Sequence, residues 1–174
     1  MRAFLAIAAA MLLSTSARAM ELTSSSVANG ASLSPNQVKA DCGGRNISPA
    51  LSWSSAPAAT KSFAVTVFDP DAHGGWWHWT VFDIPASVGS MPAGAASGAG
   101  LPQGAAQGEN DFGDAVYGGA CPPPGSGTHH YEFTVWALPM ADAPFAAGSK
   151  SEDVAAWLKT HAIARAELVA VYGR

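Results

Sequence analysis

The chain has 174 residues, only 13% of them charged, and a formal net charge of −4. With no basic run, that balance excludes a domain that grips nucleic-acid phosphates. No segment is apolar over the ~20 residues that a membrane span needs.

In chain order, the first feature is a secretory leader over residues 1–19. Arg2 supplies its positive start, Ala3 to Leu13 its short apolar run, and Ala17-Arg18-Ala19 its small-x-small cleavage site. Residues 20–174 are expected to form one domain of roughly 155 residues, enough for a sizeable core. The expected location is periplasmic or secreted. In an oxidising compartment the two cysteines, Cys42 and Cys121, are expected to pair as a disulfide, with two buried thiols as the alternative.

Ser62 to Asp69 is rich in β-branched and aromatic residues and is predicted as a strand. Both of its faces are apolar, which predicts an interior strand covered on two sides. Trp77 to Ile84 is a second strand, with Trp76 and His78 on one face and Trp77 and Trp79 on the other. Pro92 to Gly108, rich in Gly, Ala and Pro, is predicted as a long surface connection. Tyr131 to Leu138 is a third strand, and Leu168 to Tyr172 a fourth. Between them Ser151 is the expected N-cap of a helix whose stripe is Val154, Trp157 and Leu158, packed at a sheet edge or rim. Many strands with one helix predict a mainly β, two-sheet architecture.

Four clusters carry polar chemistry, all at strand ends. Asp69-Pro70-Asp71 closes the first strand. Gly74-Gly75-Trp76-Trp77-His78-Trp79 opens the second. Asn110-Asp111-Phe112-Gly113, then Tyr117-Gly118-Gly119-Ala120-Cys121-Pro122, offers backbone N–H groups to an anion. His129-His130-Tyr131 opens the third strand, with His129 and Tyr131 on one face. If those ends meet, they line a polar pocket with aromatic walls. His78 and His129 can each donate an N–H to a phosphate or carboxylate oxygen, and the acids can accept the histidines' other N–H groups.

The order of these clusters resembles the phosphatidylethanolamine-binding protein family, also called Raf-kinase-inhibitor-like. The resemblance runs from Asn46-Ile47-Ser48-Pro49 through Asp69-Pro70-Asp71-Ala72 and His78 to Cys121-Pro122-Pro123 and Gly127-Thr128-His129-His130-Tyr131. It implies a large antiparallel sheet packed on a smaller one, with a peripheral C-terminal helix. It also implies a pocket for phosphate, acetate or phosphorylethanolamine-like groups. The residues it assigns are Asp69, Asp71, Trp76, His78, His129 and Tyr131, with Gly118, Cys121 and Pro122 at the rim. No metal, cofactor or catalytic residue is expected. His73 and Ala120 depart from the pattern, each standing where the family usually has proline.

Three functions follow for consideration. The leading expectation is a non-catalytic binding protein for a small anionic or zwitterionic ligand. The second is an inhibitor or regulator that binds a protein target such as a protease. The third, a metal-dependent hydrolase, lacks a spaced metal motif and a nucleophile elbow.

Overall fold

The computed structural model describes residues 18–98 and 100–174. The expected leader therefore lies outside the described residues, apart from its last two positions. Two antiparallel sheets form the body. The smaller contains β1 (Glu21–Thr23), β2 (Leu51–Ser54) and β5 (Ser90–Met91), in the order β1-β2-β5. The larger contains β3 (Ser62–Asp69), β4 (Trp76–Pro85), β6 (Ala106–Gln107), β7 (His129–Leu138) and β8 (Ala164–Tyr172), in the order β6-β4-β3-β7-β8.

The alternation along β3 is what joins the layers. Phe63, Val65 and Val67 face the small sheet, where they meet Leu22, Leu51, Trp53 and Met91 in the main core. Ala64 faces the opposite way, into a second core with Phe82, Trp136 and Leu138. The strand is therefore central and covered on both faces, as its composition predicts.

Helix α1 (Ser151–His161) covers the second face, through Val154 and Leu158. It lies on the sheet's outer face rather than at an edge or rim, because Ala64, Phe82 and Leu138 leave an apolar patch there that only burial can satisfy. Ser151 is not its N-cap. Lys150 holds that position, and the Ser151 N–H donates instead to the Glu109 carbonyl at 2.9 Å. The tertiary bridge between Glu109 and Lys150 thus overrides the local capping preference.

Three further expectations change. The stretch from Pro92 to Gly108 is not merely a surface connection. Ala95 and Ala96 are buried, and Ala106–Gln107 form the edge strand β6. Gln107 accepts the Trp79 indole N–H at 2.7 Å and donates to the Ala96 carbonyl at 3.1 Å, which holds the stretch against the sheet. β8 starts at Ala164, four residues before the expected Leu168, because pairing with β7 extends to Ala137.

The third change lies in β4. Val67 pairs with Trp79 and Phe68 with Trp77, so His78 is one extra residue in its strand. A bulge of this kind resets the alternation. Trp79 enters the main core. Trp77 packs against Phe68 on the outer face, with ring centroids 4.3 Å apart. Trp77 and Trp79 are therefore on opposite faces, and His78 is turned towards the inner side with Tyr131, their ring centroids 5.2 Å apart.

The second core is testable. Leu158 is fully buried. Leu158→Ala should cost about 2–5 kcal/mol of unfolding free energy, measured by urea denaturation. An unchanged midpoint would mean that α1 does not depend on the sheet.

Candidate functional site

The ends of β3, β4 and β7 converge on a cavity of about 520 Å³. Antiparallel pairing brings them there, since Phe68 faces Glu132 and Asp69 faces Trp76. Asp69, Asp71, Ala72 and His73 line it from the end of β3 and the turn after it. Trp76 and His78 come from β4, and His129 and Tyr131 from β7. Phe112, Cys121, Pro122, Pro123 and Ser126 close it from the connection between β6 and β7.

Asp69 is the buried anchor, with only 3% of its surface exposed. Its Oδ2 accepts the His129 Nδ1–H at 2.7 Å. Its Oδ1 accepts the backbone N–H of Asp71 at 2.9 Å and of Ala72 at 3.2 Å. These bonds shape the turn at the position where the family usually uses proline after Ala72. The Ala72–His73 bond is trans, and the turn closes through Gly75 N–H to the Ala72 carbonyl at 2.8 Å.

Asp71 points elsewhere. Its Oδ2 accepts both the backbone N–H and the Nδ1–H of His130, each at 2.7 Å. Those two bonds hold its carboxyl below the usual carboxylate range. The two acids thus pair with His129 and His130, and neither pairs with His78.

His78 Nδ1 lies 2.8 Å from the Gly118 carbonyl. A carbonyl only accepts, so Nδ1 carries the hydrogen and the neutral ring presents Nε2 as a lone pair. Burial pushes the imidazole pKa down, outweighing the upward pull of Gly118 O, Asp69 and Asp111. The expectation that both histidines offer a free N–H is therefore corrected. Both His129 nitrogens are engaged, the second with Ser126 Oγ at 2.9 Å, and neutral His78 offers an acceptor.

Among the described residues, no group bonds to His78 Nε2, the Tyr131 hydroxyl or Trp76 Nε1, although all three atoms are buried. Burial and the nearby Asp69 raise the Tyr131 pKa, so the phenol keeps its hydrogen. Phe112 completes an aromatic wall, with its ring centroid 5.3 Å from Trp76 and 5.6 Å from His78. Lys39 Nζ sits 5.1 Å from the Phe112 centroid and pairs with Asp41 at 2.6 Å.

Gly118 does not line the cavity; it works from behind. Its carbonyl fixes the His78 ring and its N–H donates to the His78 carbonyl at 2.8 Å. A Cβ here would stand 2.5 Å from the Phe112 ring, so only glycine fits. The Gly119 N–H is likewise committed, to Asn46 Oδ1 at 2.7 Å. These two N–H groups are thus spent inside the fold and are not open to an anion. Cys42 and Cys121 form a disulfide across 79 residues, with Cα atoms 5.7 Å apart, and Cys121 lies on the rim.

Sequence reasoning did not assign Ala72, His73, Phe112, Pro123 or Ser126 to the pocket, and all five line it. Phe112 lies inside Asn110-Asp111-Phe112-Gly113, where the glycine and the polar residues point to backbone chemistry rather than to an aromatic wall. Nothing local marks Ser126. Among the described residues, no cluster of three or more His, Cys, Asp or Glu is arranged to hold a metal ion.

The sequence profile of the phosphatidylethanolamine-binding protein family matches residues 23–173. The chain belongs to that family. The UPF0098 protein YbcL of Escherichia coli K12 is 48% identical over 165 residues, spanning 91% of this chain and 90% of YbcL. A second UPF0098 protein of the same organism, YbhB, is 40% identical over 158 residues, covering 88% of this chain and 99% of YbhB. The crystal structure of E. coli YbcL, described as a new member of the mammalian PEBP family, superposes with a TM-score of 0.86 at 47% identity. The match covers 90% of this chain and 99% of that one. The large-on-small sheet arrangement and the C-terminal helix are thus those of the family.

Two outcomes follow from the geometry. His129→Ala leaves the Asp69 carboxylate buried without its partner, and should cost about 3–5 kcal/mol of stability. His78→Ala leaves no buried charge unpaired and should cost clearly less; equal losses in denaturant titrations would contradict the anchor role of Asp69. Replacing both cysteines by alanine should remove roughly 4 kcal/mol through the freed 79-residue loop. A chain that unfolds at the same denaturant concentration with and without the bridge would refute this.

Proposed function

We propose that the protein is a non-catalytic binding protein for small oxyanions and head groups of the phosphorylethanolamine kind, acting in the periplasm or outside the cell. The observation that carries the reading is the set of unpartnered buried atoms, His78 Nε2, Tyr131 OH and Trp76 Nε1, on residues that line one cavity. An unsatisfied buried polar group costs about 1–3 kcal/mol, and a ligand that pairs with it recovers that cost. Two of these atoms can donate and the third offers a lone pair, which supports a ligand with polar oxygens and a hydrogen of its own. Family membership supports a binding role. The leader pattern and the disulfide support export.

Asp69, His129 and Ser126 do fall in acid, imidazole and hydroxyl order, which invites a hydrolase reading. Ser126 Oγ, however, also lies 2.8 Å from the Pro123 carbonyl, so its one hydrogen is shared between two acceptors. An activated nucleophile needs that hydrogen committed to the imidazole. Binding without turnover is the reading that the geometry favours.

Calorimetry with phosphorylethanolamine tests the proposal. Tyr131→Phe and His78→Ala should each weaken binding by roughly ten- to a hundredfold. His161→Ala, at the far end of α1, should leave it unchanged. Equal loss in all three, or none in the pocket variants, would place the ligand elsewhere.

A further inference from the structure

Resting on that reading, we infer that the pocket selects oxyanions that carry their own hydrogen: phosphate monoesters in the monoanionic form, in preference to sulfates and phosphate diesters. The inference comes from the hydrogen-bond ledger of the cavity. Trp76 Nε1 can only donate. The Tyr131 hydroxyl donates or accepts. His78 Nε2 can only accept while the Gly118 carbonyl holds the ring hydrogen on Nδ1. A monoprotonated phosphate has bare oxygens for the two donors and a P–OH for the imidazole. A sulfate or a diester has no such hydrogen, so its oxygen would oppose the Nε2 lone pair.

The alternative for those ligands is that His78 takes up a proton. The surroundings of the ring bear on this from every side. Asp69 on β3 and Asp111 on the connection between β6 and β7 favour the charged ring. Tyr131 on β7 is neutral, and Lys39 stands behind Phe112. Burial outweighs the two acids and keeps the free ring neutral to a pH below the ordinary imidazole value. A ligand without a hydrogen must therefore import one from solvent. By linkage, its affinity is highest below the free-protein pKa of His78 and falls up to about tenfold per pH unit as pH rises through it towards the bound-state value.

Methyl phosphate and methyl sulfate are the matched probes, equal in shape and both singly charged below the second phosphate pKa of about 6. At about pH 6, methyl phosphate should bind roughly ten- to a hundredfold more tightly than methyl sulfate. Dimethyl phosphate should fall with the sulfate. Calorimetry in buffers of different ionisation enthalpy should show proton uptake with methyl sulfate, and less of it with methyl phosphate. Trp76→Phe, which removes a donor common to both ligands, should lower both affinities and keep their ratio. His78→Gln, whose amide can turn an N–H towards the ligand, should collapse the ratio. Tight and equal binding of both probes would overturn the inference and leave oxyanion binding intact. If neither probe nor phosphorylethanolamine bound, both readings would fall.

Discussion

A buried carboxylate governs this molecule's polar end. Asp69 is placed by β3 at the bottom of the cavity, where an unpaired charge would be intolerable. Its three hydrogen bonds answer that demand and build the site at once. One fixes His129 at the start of β7; the other two fold the turn that carries Asp71, Ala72 and His73. The order of strands follows from the apolar alternation, but the meeting of β3 and β7 at this end depends on a charge that must find a donor.

His78 is organised by a different device. The extra residue in β4 turns His78 towards the cavity, and the Gly118 carbonyl then sets its tautomer. Gly118 is held by close packing against Phe112, and its neighbour Gly119 by Asn46. The Asn46 side chain also donates to the Tyr117 carbonyl at 3.0 Å, so one amide clamps the loop from both sides. A segment far from the cavity in sequence thus decides whether a cavity histidine offers a hydrogen or a lone pair.

Much of this was legible in the residues. The composition of Ser62–Asp69 identified the central strand, and the order of the Asp, His and Tyr clusters identified Asp69, Asp71, Trp76, His78, Cys121, Pro122, His129 and Tyr131, which all line the cavity, and Gly118, which does not. Three features were not legible. A period-of-two reading cannot count a bulge, because the extra residue at His78 is defined only by the neighbouring strand. Three histidines and two acids do not announce their pairing; tertiary register gave His129 to Asp69 and His130 to Asp71. Local capping chemistry at Ser151 lost to the bridge between Glu109 and Lys150, which no short window contains.

The bridge between Cys42 and Cys121 also divides the chain in a way that the sheets conceal. It closes a covalent ring that contains β2 to β6 and leaves β7, α1 and β8 outside. The cavity lies on the seam. Asp69, Trp76 and His78 belong to the ring, while His129 and Tyr131 belong to the free C-terminal arm, joined to it here by hydrogen bonds and packing alone. An oxyanion bound as proposed between His78 and Tyr131 would act as a clasp across the seam, a second tie between arm and ring beside the covalent junction at Cys121.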